Sequence, residues 1–185
     1  MTTLDPRSPL VLDTIELGRR PGTMREVRRV VETPPDFGTD VIGIPAGSDL
    51  ELDLRLEAVM EGVLVSGMAR AKAVGQCVRC LEDVAMQIEA PVQELFAYPG
   101  KADPEQDEYE LDGELIDLEP VLRDAVVPAL PFQPVCDPDC PGLCSECGVR
   151  LADQPDHAHD LVDPRWSALQ SWTIGDDSPI PEKEN

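Results

Sequence analysis

The chain has 185 residues, with 37 Asp and Glu against 15 Lys and Arg, for a formal net charge of −22. So acidic a balance argues against a broad phosphate-binding surface, which needs clustered cations, and fits high solubility or a basic protein as partner. The length suits one domain with loose ends, and with three Phe, two Tyr and two Trp its core must be mostly aliphatic.

Nineteen prolines and thirteen glycines cut the chain into short elements. Residues 1–9 read as a flexible N-terminus, residues 10–172 as a single β-rich domain, and residues 173–185, polar and proline-broken, as a flexible C-terminus. The first residues carry no basic stretch followed by an apolar run, and no segment reaches the length of a membrane span. The expectation is a cytoplasmic protein whose thiols stay reduced, which turns a set of six cysteines toward metal rather than disulfides.

In chain order, Leu10-Val11-Leu12 and Ile15-Glu16-Leu17 predict a short strand or a turn of helix, stopped by Pro21-Gly22. Arg19, Arg20, Arg25, Arg28 and Arg29 follow against a single acid, Glu26. They form the one concentration of positive charge and the candidate partner-binding patch. In so negative a field they also read as a solvated strand face rather than an RNA contact.

Residues 50–60 alternate, with Leu50, Leu52, Leu54, Leu56, Ala58 and Met60 on one side and mostly charged residues on the other. Period two over that length predicts a half-buried antiparallel strand. Glu61-Gly62 turns the chain into a returning strand from Val63 to Ala73, and Val84, Met86, Ile88, Ala90 and Val92 alternate in a third. Cys77 and Cys80 then cap a hairpin of a three-stranded meander.

Residues 101–119 are acidic, and their first half reads as a mobile surface loop, since the carboxylate and glycine spacing of a calcium loop is missing. Asp117 predicts a helix N-cap, with Leu118, Val121, Leu122, Ala125 and Val126 at helical spacing and Pro128 and Pro131 as stops. A second short helix is expected after Asp163-Pro164, burying Trp166, Leu169 and Trp172. The fold class is therefore α+β: an antiparallel β-meander core, one or two short helices, and a zinc-knuckle segment over 134–160.

That segment carries the chemistry. Cys136, Cys140, Cys144 and Cys147 fall within twelve residues, and His157 and His159 follow. Two Cys-x-x-Cys pairs have the spacing of tetrahedral thiolate sites, where a tight turn aims both sulfurs at one ion. In one partition Cys77/Cys80 and Cys144/Cys147 share one ion, leaving Cys136, Cys140 and both histidines spare or in a weaker site. In another, Cys77/Cys80 joins Cys136/Cys140 while Cys144/Cys147 joins His157/His159, for two ions. Spacing alone leaves both open, so the expected cofactor is one or two zinc ions.

No Gly-rich phosphate loop, nucleophile elbow or His-Glu-x-x-His is present, and a fully ligated zinc has no open position for substrate water. The reading is a binding or assembly protein rather than an enzyme. The alternative is a rubredoxin-like iron redox or electron-transfer protein, because four thiolates accept either metal.

Several segments occur in a telling order: Cys77-Val-Arg-Cys80-Leu81; Glu114-Leu-Ile-Asp117-Leu118 with Ala129-Leu130-Pro131; Val135-Cys136; Cys140-Pro-Gly142-Leu143-Cys144-Ser-Glu-Cys147-Gly148; and Asp163-Pro164-Arg165 with Leu169. Together they resemble the YceD-type large ribosomal RNA subunit accumulation proteins, over about residues 10 to 172. The resemblance implies a role in accumulating large-subunit ribosomal RNA, hence ribosome assembly, with no catalytic residues to carry over. Relatives often place Cys-x-Cys where this chain has His157-Ala158-His159, a departure that keeps ligand chemistry and favours two ions. The implied partner is a basic ribosomal protein or a large-subunit assembly intermediate, with direct rRNA contact left open.

Overall fold

The computed structural model describes residues 4–102, 108–159 and 165. Within them the chain forms β1 (Val11–Asp13), a 3-10 turn (Ile15–Leu17), β2 (Met24–Glu32), β3 (Ile42–Gly43), β4 (Asp49–Ala58), β5 (Gly62–Gln76), β6 (Asp83–Ala97), β7 (Tyr109–Glu110), β8 (Leu115–Asp117) and α1 (Glu119–Ala129). The expected α+β class and antiparallel-rich sheet are present. The second expected helix lies outside the described residues.

The main sheet runs β2-β4-β5-β6-β7, with β3 beside β5. Antiparallel pairing joins β2, β4, β5 and β6, and the short β7 adds to β6 in parallel. The meander expected from alternation is thus β4-β5-β6, extended on one side by the arginine-bearing β2. Leu50, Leu52, Leu54, Leu56 and Ala58 are all buried, while Glu51, Asp53 and Arg55 point to water. Register carries that face across the sheet, since Leu52 pairs with Ala69 and Ala69 with Ala90.

Met60 departs from the pattern: the alternation puts it on the buried side, yet it is 70% exposed. The strand ends at Ala58, and Val59 N–H donates to Gly62 O at 2.9 Å, so the alternation gives way to a turn before Met60 is reached.

The buried face is covered by three pieces of chain. One is α1, which presents Val121, Leu122 and Val126 inward. Another is the ribbon of β1 with β8, where Leu12 opposes Ile116. The third is the segment through β3 that carries Phe37, Ile42 and Ile44. All contribute to one aliphatic core with the sheet.

The helix begins one residue later than its sequence signal. Leu118 is the N-cap, and Asp117 Oδ1 accepts from Glu119 N–H at 3.0 Å. Pro128 does not stop the helix but sits inside its final turn, and the chain leaves the helix at Leu130, just before Pro131. A proline in the last turn forfeits only one bond of the ladder, which explains why the helix outlasts it. No helix among the described residues is long and apolar enough to cross a membrane.

Candidate metal centre

β5 and β6 are each 15 residues long and run past β4 to a tight reversal, with β3 paired to the last residues of β5. Cys77 and Cys80 occupy that reversal. Cys77 N–H donates to Glu82 O at 2.8 Å and Leu81 N–H to Cys77 O at 2.9 Å, so both sulfurs leave the same side of a closed turn. The later pair repeats the arrangement: Cys144 N–H donates to Val149 O at 2.8 Å and Gly148 N–H to Cys144 O at 2.9 Å. Gly148 takes the left-handed conformation, with φ of 71°, that such a turn asks for and glycine adopts freely.

After α1 the chain crosses to the hairpin end and is stitched there. Val78 N–H donates to Pro134 O at 2.9 Å, and Leu143 N–H to Arg79 O at 3.0 Å. Arg79 returns two bonds through Nη1, to Pro138 O at 3.1 Å and Cys140 O at 3.0 Å. These contacts bring four sulfurs together. Cys77 Sγ lies 3.9 Å from Cys140 Sγ, and Cys80 Sγ lies 3.5 Å from Cys136 Sγ. Cys77, Cys80 and Cys140 are buried with Val84 in a small apolar cluster, against which Val135 and Leu143 pack. Cys136 closes the group from the solvent side.

The second group gathers Cys144, Cys147, His157 and His159. Cys147 Sγ is 3.2 Å from His157 Nε2 and 3.3 Å from His159 Nε2, and the two Nε2 atoms are 2.8 Å apart. Leu151 N–H to Gly142 O at 3.0 Å folds this loop back on the knuckle, and His157 N–H donates to Gln154 O at 3.0 Å. Arg150 pairs with Glu82 at 3.1 Å and ties the second group to the turn of the first.

In each group the ligand atoms all lie within 4.8 Å of one another. Tetrahedral zinc with bonds of about 2.3 Å to sulfur places sulfurs about 3.8 Å apart, so both donor sets fit in kind and spacing. The grouping is that of the two-ion partition; the one pairing Cys77/Cys80 with Cys144/Cys147 does not occur.

The thiols themselves show what a cation relieves. Burial raises Cys77, but N–H groups of Cys136, Cys80 and Arg79 outweigh it and pull the thiol down to about 6. Cys136 is pushed up to about 12, first by its hydrogen bond with Cys80, then by Cys140 and burial. Backbone N–H groups of Cys147 and Glu146 draw Cys144 down to about 6. Thiols this close cannot all ionise unaided, and a divalent ion removes that conflict.

The five arginines lie apart from these groups. Arg25 and Arg29 are in register with Leu56 and Leu52, on the core-facing side of β2. From there Arg25 donates to Asp13 O at 3.1 Å and Arg29 to Pro9 O at 3.3 Å, holding the β1 segment over the sheet. Arg19 pairs with Glu114 at 2.6 Å and lies over the Tyr98 ring. Arg28 is on the open face against Asp53 at 3.2 Å, and Arg20 is exposed. Sequence reasoning missed the ribbon these side chains clamp, because Asp13 and Leu115 carry no sign of being partners across about a hundred residues.

The fold and donor sets define a β-sheet protein whose hairpin end and following loops gather two tetrads of thiol and imidazole side chains that could each hold a metal ion. The chain belongs to the YceD family: the profile described as "Large ribosomal RNA subunit accumulation protein YceD" matches residues 65–171, a span that includes both tetrads. An uncharacterized protein of Mycobacterium tuberculosis is 49% identical over 166 residues, covering 88% of this chain and 80% of its own. A Mycobacterium bovis counterpart shows the same identity and coverage. An uncharacterized protein of Mycobacterium leprae is 43% identical, covering 88% of this chain and 76% of its own. No solved structure matches the chain.

Proposed function

We propose that this protein is a non-enzymatic, zinc-stabilised factor that supports accumulation of large-subunit ribosomal RNA and ribosome assembly in the cytoplasm. Membership in a family described by that role, through a match that spans both ligand tetrads, is the observation that carries the reading. In this reading the zinc ions are structural. Cys77, Cys80, Cys136 and Cys140 hold one, joining the sheet to the segment after α1, and Cys144, Cys147, His157 and His159 hold the other. Bound there, zinc supplies charge and cross-linking to a region with few core side chains of its own.

The acidic surface favours a basic ribosomal protein, or an assembling particle displaying one, as partner. The arginine stretch supports that preference over naked RNA, since Arg19, Arg25 and Arg28 each face a carboxylate of the same chain.

Depletion in cells should lower large-subunit ribosomal RNA relative to the small subunit and shift particle profiles. Unchanged RNA and particles would reject the assembly role. Native mass spectrometry of the protein drawn from undepleted cells should show two zinc ions per chain. A coloured protein with an iron signal would replace this reading with the electron-transfer one.

A further inference from the structure

We propose that the end of the β5–β6 hairpin, with the segment leaving α1, is a docking surface for a cationic, amphipathic segment of a basic protein; this deepens the assembly reading and rests on it. Leu81 is the starting observation. It holds the place in the first knuckle that Gly148 holds in the second, with φ of 61° against 71°. A leucine there accepts backbone strain that glycine avoids. It gains no burial in return, being 59% exposed.

Its surroundings are of the same kind. Val78, in the same turn, is partly exposed, and Phe132 is 92% exposed. Phe132 stands two residues before Pro134, whose carbonyl accepts the Val78 N–H at 2.9 Å, so it belongs to this end of the molecule. On the open face beside the turn, Val74, Gly75, Gln76, Asp83, Val84 and Ala85 line a shallow groove of about 490 Å³. Strain without burial, next to large apolar groups left in water, is what a surface shaped for a second molecule displays.

Charge selects the occupant. Glu82, Asp83, Asp137 and Asp139 lie in the same turn and loop against Arg79 and Arg150. Arg79 is engaged by the carbonyls of Pro138 and Cys140, and Arg150 by Glu82. Four thiolates around a divalent ion add further negative charge. A cationic segment with apolar anchors complements this rim, whereas a phosphate backbone is repelled.

The test titrates the full, zinc-loaded chain with individually purified basic proteins of the large subunit. Leu81→Gly relieves the strained turn, so its melting temperature should hold or rise and its zinc content stay unchanged. Its affinity for the partner should nevertheless fall at least tenfold, as should that of Phe132→Ser. Asp83→Asn with Asp139→Asn should flatten the salt dependence of binding.

The surface is rejected if no basic protein binds, or if affinity is unchanged in both apolar variants. Self-association abolished by the same variants would assign the face to a second copy and overturn the proposal, as would naked rRNA binding that depends on them. Complementation separates the two readings. If depletion lowers large-subunit RNA but the Leu81→Gly, Phe132→Ser double variant restores it fully, the assembly role stands and the surface falls. If depletion has no effect on that RNA, the assembly role falls and the titration alone judges the surface.

Discussion

Cys80 Sγ and Cys136 Sγ stand 3.5 Å apart across 56 residues of sequence, with β6, the acidic segment and the helix between them. One donor comes from a turn built by the sheet, the other from a loop that has no sheet of its own. A shared ion would therefore do more for the loop than for the hairpin, whose long ladder needs no ion to pair. Replacing Cys80 by Ser should release one of two metal ions and lower the melting temperature by about 5–15 °C, as a loss of a few kcal/mol does in a domain of this size. Metal analysis and calorimetry check both.

Cys144→Ser should also reduce bound metal from two ions to one, but with a smaller thermal effect. Cys147 and His159 are exposed and the loops they close bury little, so less structure would depend on an ion held there. The first group should keep its metal. Equal melting temperatures for the Cys80 and Cys144 variants would show that the two groups fold as one unit.

Gly142 lies where the chain passes between the groups. Its φ is 80°, and a Cβ built there meets Arg79 O at 3.0 Å. Both the backbone conformation and the close carbonyl disfavour any side chain. Gly142→Ala should cost about 1–3 kcal/mol and weaken metal retention in the first group, because the Leu143 N–H bond to Arg79 O is displaced with it. Chelator competition and thermal unfolding measure the two effects.

Alkaline pH should report on the packing of β7 against α1. Tyr109 OH donates to Asp124 Oδ2 at 2.6 Å. Burial first, then that bond and the carboxylate charge, push its phenol up to about 12. A raised folded-state value means that the contribution to stability is complete below about pH 10, the unfolded value, and is lost as pH rises through about 12. Burial also raises Tyr98, so phenolate absorbance should show both tyrosines titrating above free tyrosine. Tyr109→Phe should remove the phase near pH 12 while leaving the Tyr98 one.

The parts of this fold legible in the sequence are those whose partners are chemically alike. In β4 every second residue is apolar, so burial and period announce the strand together, and the cysteines announce the ligand groups by type and spacing. In β2 the same period is hidden, because Arg25 and Arg29 take core-side places that Val27 and Val31 also take. Their charged ends are answered by Asp13 and Pro9, a pairing that exists only once the chain has folded. The ligand partition was hidden for the same reason. It depends on Val78 meeting Pro134 and Leu143 meeting Arg79, backbone contacts that carry no residue signature.

The arginine stretch offers the sharpest division between a structural and a nucleic-acid role. If these side chains clamp the β1–β8 ribbon, Arg25→Gln should destabilise the fold by about 0.5–1.5 kcal/mol, the worth of an ordinary hydrogen bond, with its pairings to Asp13 and Glu16 adding little. Arg28→Gln, whose partner Asp53 is exposed on the open face, should change stability by less than about 1 kcal/mol. Neither should alter RNA affinity, because the field around them is negative and their charge is answered within the chain. Denaturant unfolding measures the first two effects. Filter binding of purified protein to naked large-subunit rRNA at about 0.15 M salt, where long-range attraction is screened, decides the third. Tight binding there, lost in Arg28→Gln with stability intact, would return the stretch to the role of an RNA contact.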